Sequence, residues 1–239
     1  ALQHFRNVDA FAADLKTLLN CSTGFTRSAF GNVVGRLGDN IGCKGDDWRH
    51  GCFEVERYCE MGRMVAMKRL VEADFCSRNT VALARSLIGK HLVVDTDGER
   101  GAFVITETEA YDGPEDLACH ASKGRTKRTE TLFGPPGCWY VYLCYGVHEM
   151  LNLVTGPVDY PAAILIRGLG EVSGPGRLTK HLGIDRRFNA RTASVETGMW
   201  VEDRGSRPNE ADIETTPRIG VDYAGDDWAN RPYRFVLKA

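Results

Sequence analysis

The chain has 239 residues, 43% of them apolar and 26% charged, and a net charge of −2. That is enough length for one domain with its own core and too apolar a composition for a disordered chain. No apolar run approaches the ~20 residues of a membrane-spanning helix, and the start Ala1-Leu2-Gln3-His4-Phe5-Arg6 lacks the basic-then-apolar order of a secretory leader. A soluble intracellular protein with no membrane partner is therefore expected.

Residues 1–66 form an N-terminal extension of unknown role, rich in Gly and Cys. One helical pattern stands out there, Asp9 to Leu19, with Phe11, Leu15, Leu18 and Leu19 on one face and Asp9 as cap. Glycines at 31, 35, 38, 42, 45 and 51 then disfavour long regular elements. Met64 and Met67 stand where the patterned sequence begins, so the upstream part reads as an extension or as the product of a misplaced start.

From Asn79 the pattern sharpens. Asn79 or Thr80 caps a short helix with Leu83 and Leu87 on one face and Gly89 as its stop. His91 to Asp95 reads as a strand, Asp97-Gly98 as a hairpin turn and Ala102 to Tyr111 as the return strand. Trp139 to Val154 is β-rich, Ala162 to Arg167 reads as a buried strand, and Ser173-Gly-Pro-Gly opens a helix reaching His181. Short strands are expected at Met199–Glu202, Ile219–Val221 and Tyr233–Leu237.

The eight cysteines, Cys21, Cys43, Cys52, Cys59, Cys76, Cys119, Cys138 and Cys144, are expected to be free thiols. They lack the close pairs of a zinc site, so neither metal nor cofactor is assigned. Charge is near neutral overall but locally basic: Lys123, Arg125, Lys127 and Arg128 lie within six residues, and Arg186, Arg187 and Arg191 form a second cluster. Taken alone, each cluster fits a solvated loop as well as a phosphate-binding one.

Two stretches carry candidate chemistry. In Glu107-Thr108-Glu109-Ala110-Tyr111 the strand period sets both carboxylates and the ring on one face. Such a group suits hydrolysis of a glycosidic bond, where a carboxylate deprotonates water and faces a developing positive charge; a polar outer strand face is the commoner meaning of Glu-x-Glu. In Trp139-Tyr140-Val141-Tyr142-Leu143-Cys144-Tyr145-Gly146, Tyr140 and Tyr142 share a face and Tyr145-Gly146 reads as a turn that can project a ring. A projecting ring can fill the gap left by an extruded nucleotide, although an aromatic core strand is the ordinary reading.

Together these stretches resemble the alkyladenine (3-methyladenine) DNA glycosylase family over residues 67–238. The matching motifs are Glu107-Thr-Glu-Ala-Tyr111-Asp-Gly-Pro-Glu-Asp116, Ala118-Cys-His120, Phe133-Gly-Pro-Pro-Gly137, Tyr140-Val-Tyr142 through Tyr145-Gly146, Asn152, and Ile164-Leu-Ile-Arg167. The resemblance implies a mixed α/β (α+β) single domain over residues 67–239, with a curved, mainly antiparallel sheet, peripheral helices and a protruding hairpin. It implies a monomer acting on double-stranded DNA, in the bacterial cytoplasm or the eukaryotic nucleus. The activity implied is excision of alkylated or deaminated purines by hydrolysis of the N-glycosidic bond, leaving an abasic site.

Position by position, Glu109 matches the general base and Arg167 the arginine that holds the water and the carboxylate. Tyr111 and His120 match one side of the flipped base, Tyr142 the other, with Tyr140 beside them. Asn152 matches the residue that disfavours the exocyclic amine of guanine, Tyr145 the intercalating wedge, and Lys123, Arg125, Lys127 and Arg128 the DNA-backbone contacts. No lysine falls in the matched pocket segments, so a Schiff-base route is not expected. Departures from the family pattern are Lys127 in place of proline, His148 and Glu149 after the wedge, and Cys138-Trp139 before the aromatic strand. Two other readings compete: a binding module that inserts Tyr145 without catalysis, and a sugar glycosidase pairing Glu107 with Glu109.

Overall fold

In the computed structural model, which describes residues 67–96 and 99–238, the elements run in the order β1 (Lys68–Arg69), α1 (Glu72–Phe75), α2 (Thr80–Ser86), β2 (His91–Thr96), β3 (Glu99–Tyr111), β4 (Trp139–Cys144), β5 (His148–Thr155), β6 (Ala162–Leu169), β7 (Val172–Ser173), α3 (Pro175–His181), β8 (Met199–Asp203), β9 (Ile213–Thr216), α4 (Asp226–Ala229) and β10 (Arg234–Leu237). The strands join in one sheet of order β1-β8-β2-β3-β6-β5-β4, with β10 bridging β3 and β9 and β7 pairing β6. Among the described residues every pairing is antiparallel. The mixed α/β class, the single domain and the mainly antiparallel sheet expected from the sequence are all found.

The 13-residue strand β3 is the spine. Its first half pairs with β2, with His91 opposite Val104 and Thr96 opposite Glu99; the Asp97-Gly98 turn lies outside the described residues. Its second half pairs with β6 on one edge and β10 on the other. Side-chain alternation then separates two faces. One cross-strand row, Trp139, Leu153, Ile164 and Ala110, is apolar and joins the main core, where Leu87 next to α2 and Leu178 of α3 pack on it. The neighbouring row, Tyr140, Asn152, Leu165, Glu109 and Arg234, points to the opposite face. Each large side chain lost from water in the first row contributes roughly 1.5–3 kcal/mol, so the register is strongly fixed. With it is fixed the polar row behind.

Local chemistry sets the short elements. The Asn79 carboxamide accepts from the Ala82 N–H at 3.0 Å and caps α2, and the Thr108 hydroxyl donates to the Ala84 carbonyl at 2.9 Å, tying that helix to β3. Between Ile105 and Thr108 the β3–β6 register slips and recovers. Gly168 sits opposite Glu107 at that irregularity, where an added Cβ would stand 2.9 Å from the Glu107 Cβ.

The expected strand at Ile219–Val221 is not formed; the strand lies earlier, at Ile213–Thr216, and pairs with β10. Pro217 supplies no N–H to continue the ladder, Gly220 takes a φ of 74°, and the Ile219 N–H is bonded to a side chain instead. The Asp9–Leu19 helix and the whole of residues 1–66 lie outside the described residues. Cys76, Cys119, Cys138 and Cys144 are free thiols, and the other four cysteines lie outside the described residues.

One ion pair joins the loops on the polar face. Asp116 and Arg218, both with fully buried side chains, meet through two hydrogen bonds, at 2.5 and 2.9 Å. Asp116 also accepts from the Asp112 and Ala118 N–H groups, and Arg218 donates to the Ala110 and Trp228 carbonyls. Removing one partner strands the other charge without water. Arg218→Met is therefore expected to lower unfolding free energy by about 3–5 kcal/mol, read from urea denaturation; a loss below 1 kcal/mol would show that the pair is not the clasp of these loops.

Candidate active site

Glu109 occupies the centre of the polar row and has no solvent exposure. Its Oε1 accepts the Ile219 N–H at 2.8 Å and lies 3.4 Å from Arg167 Nε, while Oε2 accepts the Tyr111 hydroxyl at 3.0 Å. Burial pushes its pKa above the ordinary carboxylate value, Glu107 adds to that push, and Arg167, the Ile219 amide and Tyr111 oppose it. Burial and the neighbouring Glu109 also hold the Tyr111 phenol well above its usual value, so it stays protonated and donates. Such a carboxyl group, buried yet supplied with donors, is poised to take a proton from water.

Glu107 lies on the same face, as the strand period predicts, but is committed elsewhere. Its Oε1 accepts from Arg167 Nε at 2.9 Å and from Arg234 Nε at 2.6 Å, and the residue is only 5% exposed. A two-carboxylate sugar hydrolase needs its second acid free to protonate or attack, and here that acid is clamped by two guanidinium groups.

The aromatic residues gather beside this row. Tyr111, His120, Tyr140, Tyr142 and Asn152 line a cavity of about 30 Å³, which opens onto a cleft of about 820 Å³ also bounded by Tyr111, His120 and Tyr142. Glu109 lies behind that wall, reached through Tyr111 and Arg167, both of which line the cleft. The His120 and Tyr142 ring centroids are 4.6 Å apart, edge to face, whereas a planar base needs about 3.5 Å to each neighbour. The slot between them is closed.

His120 is neutral in this setting: burial, with Arg128 and Lys123 nearby, lowers its pKa to about 4. Its Nδ1 lies 3.1 Å from the Tyr140 hydroxyl, whose own pKa burial raises to about 12. Asn152 is fixed by its Nδ2, which donates to the Tyr140 and Met150 carbonyls at 3.1 and 3.3 Å.

Tyr145 crowns the β4–β5 hairpin, 93% exposed. Its φ of 51° and the 73° of Gly146 are both left-handed, as the turn closed by Val147 N–H to Cys144 carbonyl requires. Of the cluster expected to meet DNA, Lys123 and Arg128 line the cleft, with Arg128 also 5.3 Å above the Tyr142 ring. Lys127 is exposed. Arg125 is bound to Glu130 and Asp159, so its charge is already balanced. Glu149, out of pattern beside the hairpin, is paired with Arg186 at 3.1 Å. Sequence reasoning missed the Ile219 amide, which has no side-chain signature, and the Arg218 clasp; Arg218 also lies 4.9 Å over the Tyr111 ring.

Comparison with known proteins gives a consistent result. The family model described as Methylpurine-DNA glycosylase (MPG) matches residues 74–173 and 170–239. A Myxococcus xanthus protein named "Putative 3-methyladenine DNA glycosylase" is 45% identical over 174 residues, covering 69% of this chain and 88% of that protein. Proteins of the same name from Methanocella arvoryzae (45% over 186 residues; 69% and 90% covered) and Legionella pneumophila strain Paris (41% over 179 residues; 72% and 96%) are similar in the same way. No helix among the described residues is long and apolar enough to cross a membrane.

The depressed His120 pKa fixes a pH dependence of stability. The folded state holds the ring neutral down to about 4 while the unfolded chain protonates near 6.5, so stability falls as pH drops through that window, by roughly 2–3 kcal/mol. A His120→Gln variant is expected to flatten this part of the curve. Urea titrations at pH 7 and pH 4.5 measure it, and an unchanged slope would remove His120 as the cause.

Proposed function

The chain belongs to the methylpurine-DNA glycosylase family, as a hydrolase of N-glycosyl bonds in DNA of the 3-methyladenine glycosylase type, and from that premise we propose that it everts alkylated or deaminated purines and cleaves them with a water activated by Glu109. The substrate class is 3-methyladenine, 7-methylguanine, hypoxanthine and ethenoadenine, and the product is an intact abasic site. The observation that carries the reading is the buried Glu109 carboxylate with a raised pKa, one hydrogen bond behind the tyrosine wall of the cleft.

In this reading the water sits where Tyr111, Arg167 and Ile219 border the cleft, within reach of Glu109. Glu109 takes its proton as the oxygen attacks the sugar carbon, and the buried carboxylate stabilises the oxocarbenium-like charge across a short, poorly screened distance. Arg167 holds the carboxylate and opposes the upward push of burial on its pKa. A purine alkylated to a cation departs neutral and needs no further help, whereas a neutral base such as hypoxanthine must take up a proton, supplied by solvent, as its bond to the sugar breaks. The base itself lodges between Tyr111 with His120 on one side and Tyr142 on the other, beside Tyr140, once the closed rings part.

Asn152 spares guanine by bulk rather than polarity. Both amide protons are spent on backbone carbonyls, so the side chain cannot swing aside from an exocyclic amine. Tyr145 is the wedge that fills the vacated stack, and Lys123, Lys127 and Arg128 engage the phosphates. Arg125 joins them only by exchanging Glu130 and Asp159 for phosphate. The protein acts as a monomer.

Glu109→Gln is expected to abolish release of hypoxanthine from duplex DNA, by 10³-fold or more on the order of lost base catalysis and charge stabilisation, while lesion binding persists. Retained release would remove Glu109 from its role. Because Arg167 lowers the Glu109 pKa, Arg167→Met should move the acidic limb of the rate profile to higher pH. A Tyr145→Gly variant relieves a left-handed non-glycine residue and is expected to stabilise the free protein by about 1 kcal/mol, yet to weaken lesion binding. Thermal unfolding and fluorescence anisotropy read the two effects.

A further inference from the structure

Of the eight exposed large apolar side chains among the described residues, four line one cleft. Tyr145 is one of them, and Leu117, Ile219 and Tyr223, which are 52%, 52% and 67% exposed, line the same cleft from the loops outside the β4–β5 hairpin. Tyr223 is oriented against the habit of a surface tyrosine. Its hydroxyl donates inward to the Ala118 carbonyl at 2.8 Å, while the residue stays 67% exposed and its side chain borders both the small cavity and the cleft. An exposed tyrosine normally keeps its polar tip wet and its ring against the protein.

The turn that carries the ring is anchored. Tyr223 follows Val221 in a 3₁₀ turn, Asp222–Ala224, whose Val221 and Ala224 pack with Ala118 under it. The Arg218–Asp116 clasp joins the two loops that carry Leu117 and Ile219. A rigid apolar rim loses little side-chain freedom when something presses on it. The same cleft carries Lys123 and Arg128, so its complement is a polyanion with apolar faces between its charges.

We propose that Leu117 and Tyr223 form a second, non-ionic DNA-contact rim of this cleft, packing on the deoxyribose and base faces next to the everted nucleotide. The proposal rests on the DNA glycosylase reading above and adds a contact to it. The two contacts divide the work: Tyr145 occupies the vacated stack, and the Tyr223 face braces the sugars of the strand that has been pulled out. Ile219 shares the rim, but its amide serves Glu109, so it is left out of the test.

The test is equilibrium binding of the full chain to a hypoxanthine-containing duplex, by anisotropy across a salt series. Tyr223→Ala and Leu117→Ser are each expected to raise Kd about three- to tenfold with no change in the slope of log Kd against log salt, because no phosphate charge is involved. Tyr223→Phe keeps the ring and should stay within twofold of the native affinity, and Lys123→Ala should lower the slope by about 0.9. Leu117→Ser removes no hydrogen bond, so it reports even if Tyr223→Ala disturbs its loop. Unchanged Kd in both truncations overturns the proposal. So does a reduced slope, or a change in sedimentation showing that the rim joins two copies of the chain. Failure of the enzymatic reading looks different: the native chain would then show no preference for the lesion duplex, whatever its rim carries.

Discussion

A carboxylate placed in the middle of a sheet, out of contact with water, is the constraint around which this protein is arranged. Transfer of Glu109 from water is unfavourable by itself, and the register of four strands, set by an apolar row on the other face, leaves it nowhere else to go. What keeps it tolerable is a set of three donors from three places in the chain: Arg167 from the neighbouring strand, Tyr111 from two residues on, and the Ile219 amide from a distant loop. None of the three restores the lost hydration fully, and the raised pKa is the measure of the shortfall. That shortfall is what raises the group's affinity for a proton.

The donors need positioning of their own. The Ile219 amide reaches Glu109 because Pro217 and Gly220 break the strand that the sequence pattern suggests, and because Arg218 next to it is locked to Asp116. Asp116 in turn collects the Asp112 and Ala118 amides at the start of the segment leading to His120. Through one ion pair the backbone that carries the Ile219 donor and the backbone that leads to the aromatic slot are tied together. Glu107 is drawn off by Arg167 and Arg234, so the two carboxylates that look alike in sequence are unlike in structure: one is clamped by two guanidinium groups, and the other faces one guanidinium, a phenol and a backbone amide.

Much of this was legible beforehand. The β-rich stretch Trp139–Val154, the buried apolar run of Ala162–Arg167, the Asn79 cap, and the common face of Glu107, Glu109 and Tyr111 all follow from local rules, and the left-handed Tyr145-Gly146 turn was foreshadowed by the glycine. What stayed hidden depends on partners far apart in the chain. Strand β1 is two residues long and exists only because Lys68 and Arg69 meet Asp203 and Glu202. Strand β9 is a polar tetrapeptide recruited by β10. The role of Ile219 is carried by a backbone N–H, which no side chain advertises, and the inward-turned hydroxyl of Tyr223 is a rotamer that its neighbours decide.

The edge-to-face contact of His120 and Tyr142 bears on how the protein lets go of what it has cut. Two rings that satisfy one another at rest offer no vacant aromatic surface to solutes drifting past. A base still attached to its strand arrives at the millimolar local concentrations of a tethered ligand and can force the rings apart. Once its bond to the sugar is broken, the same base is an ordinary dilute solute, and the rings reclaim each other. On the proposed reading, cleavage thus switches off the affinity that made cleavage happen, so the freed purine does not linger to poison the next turnover.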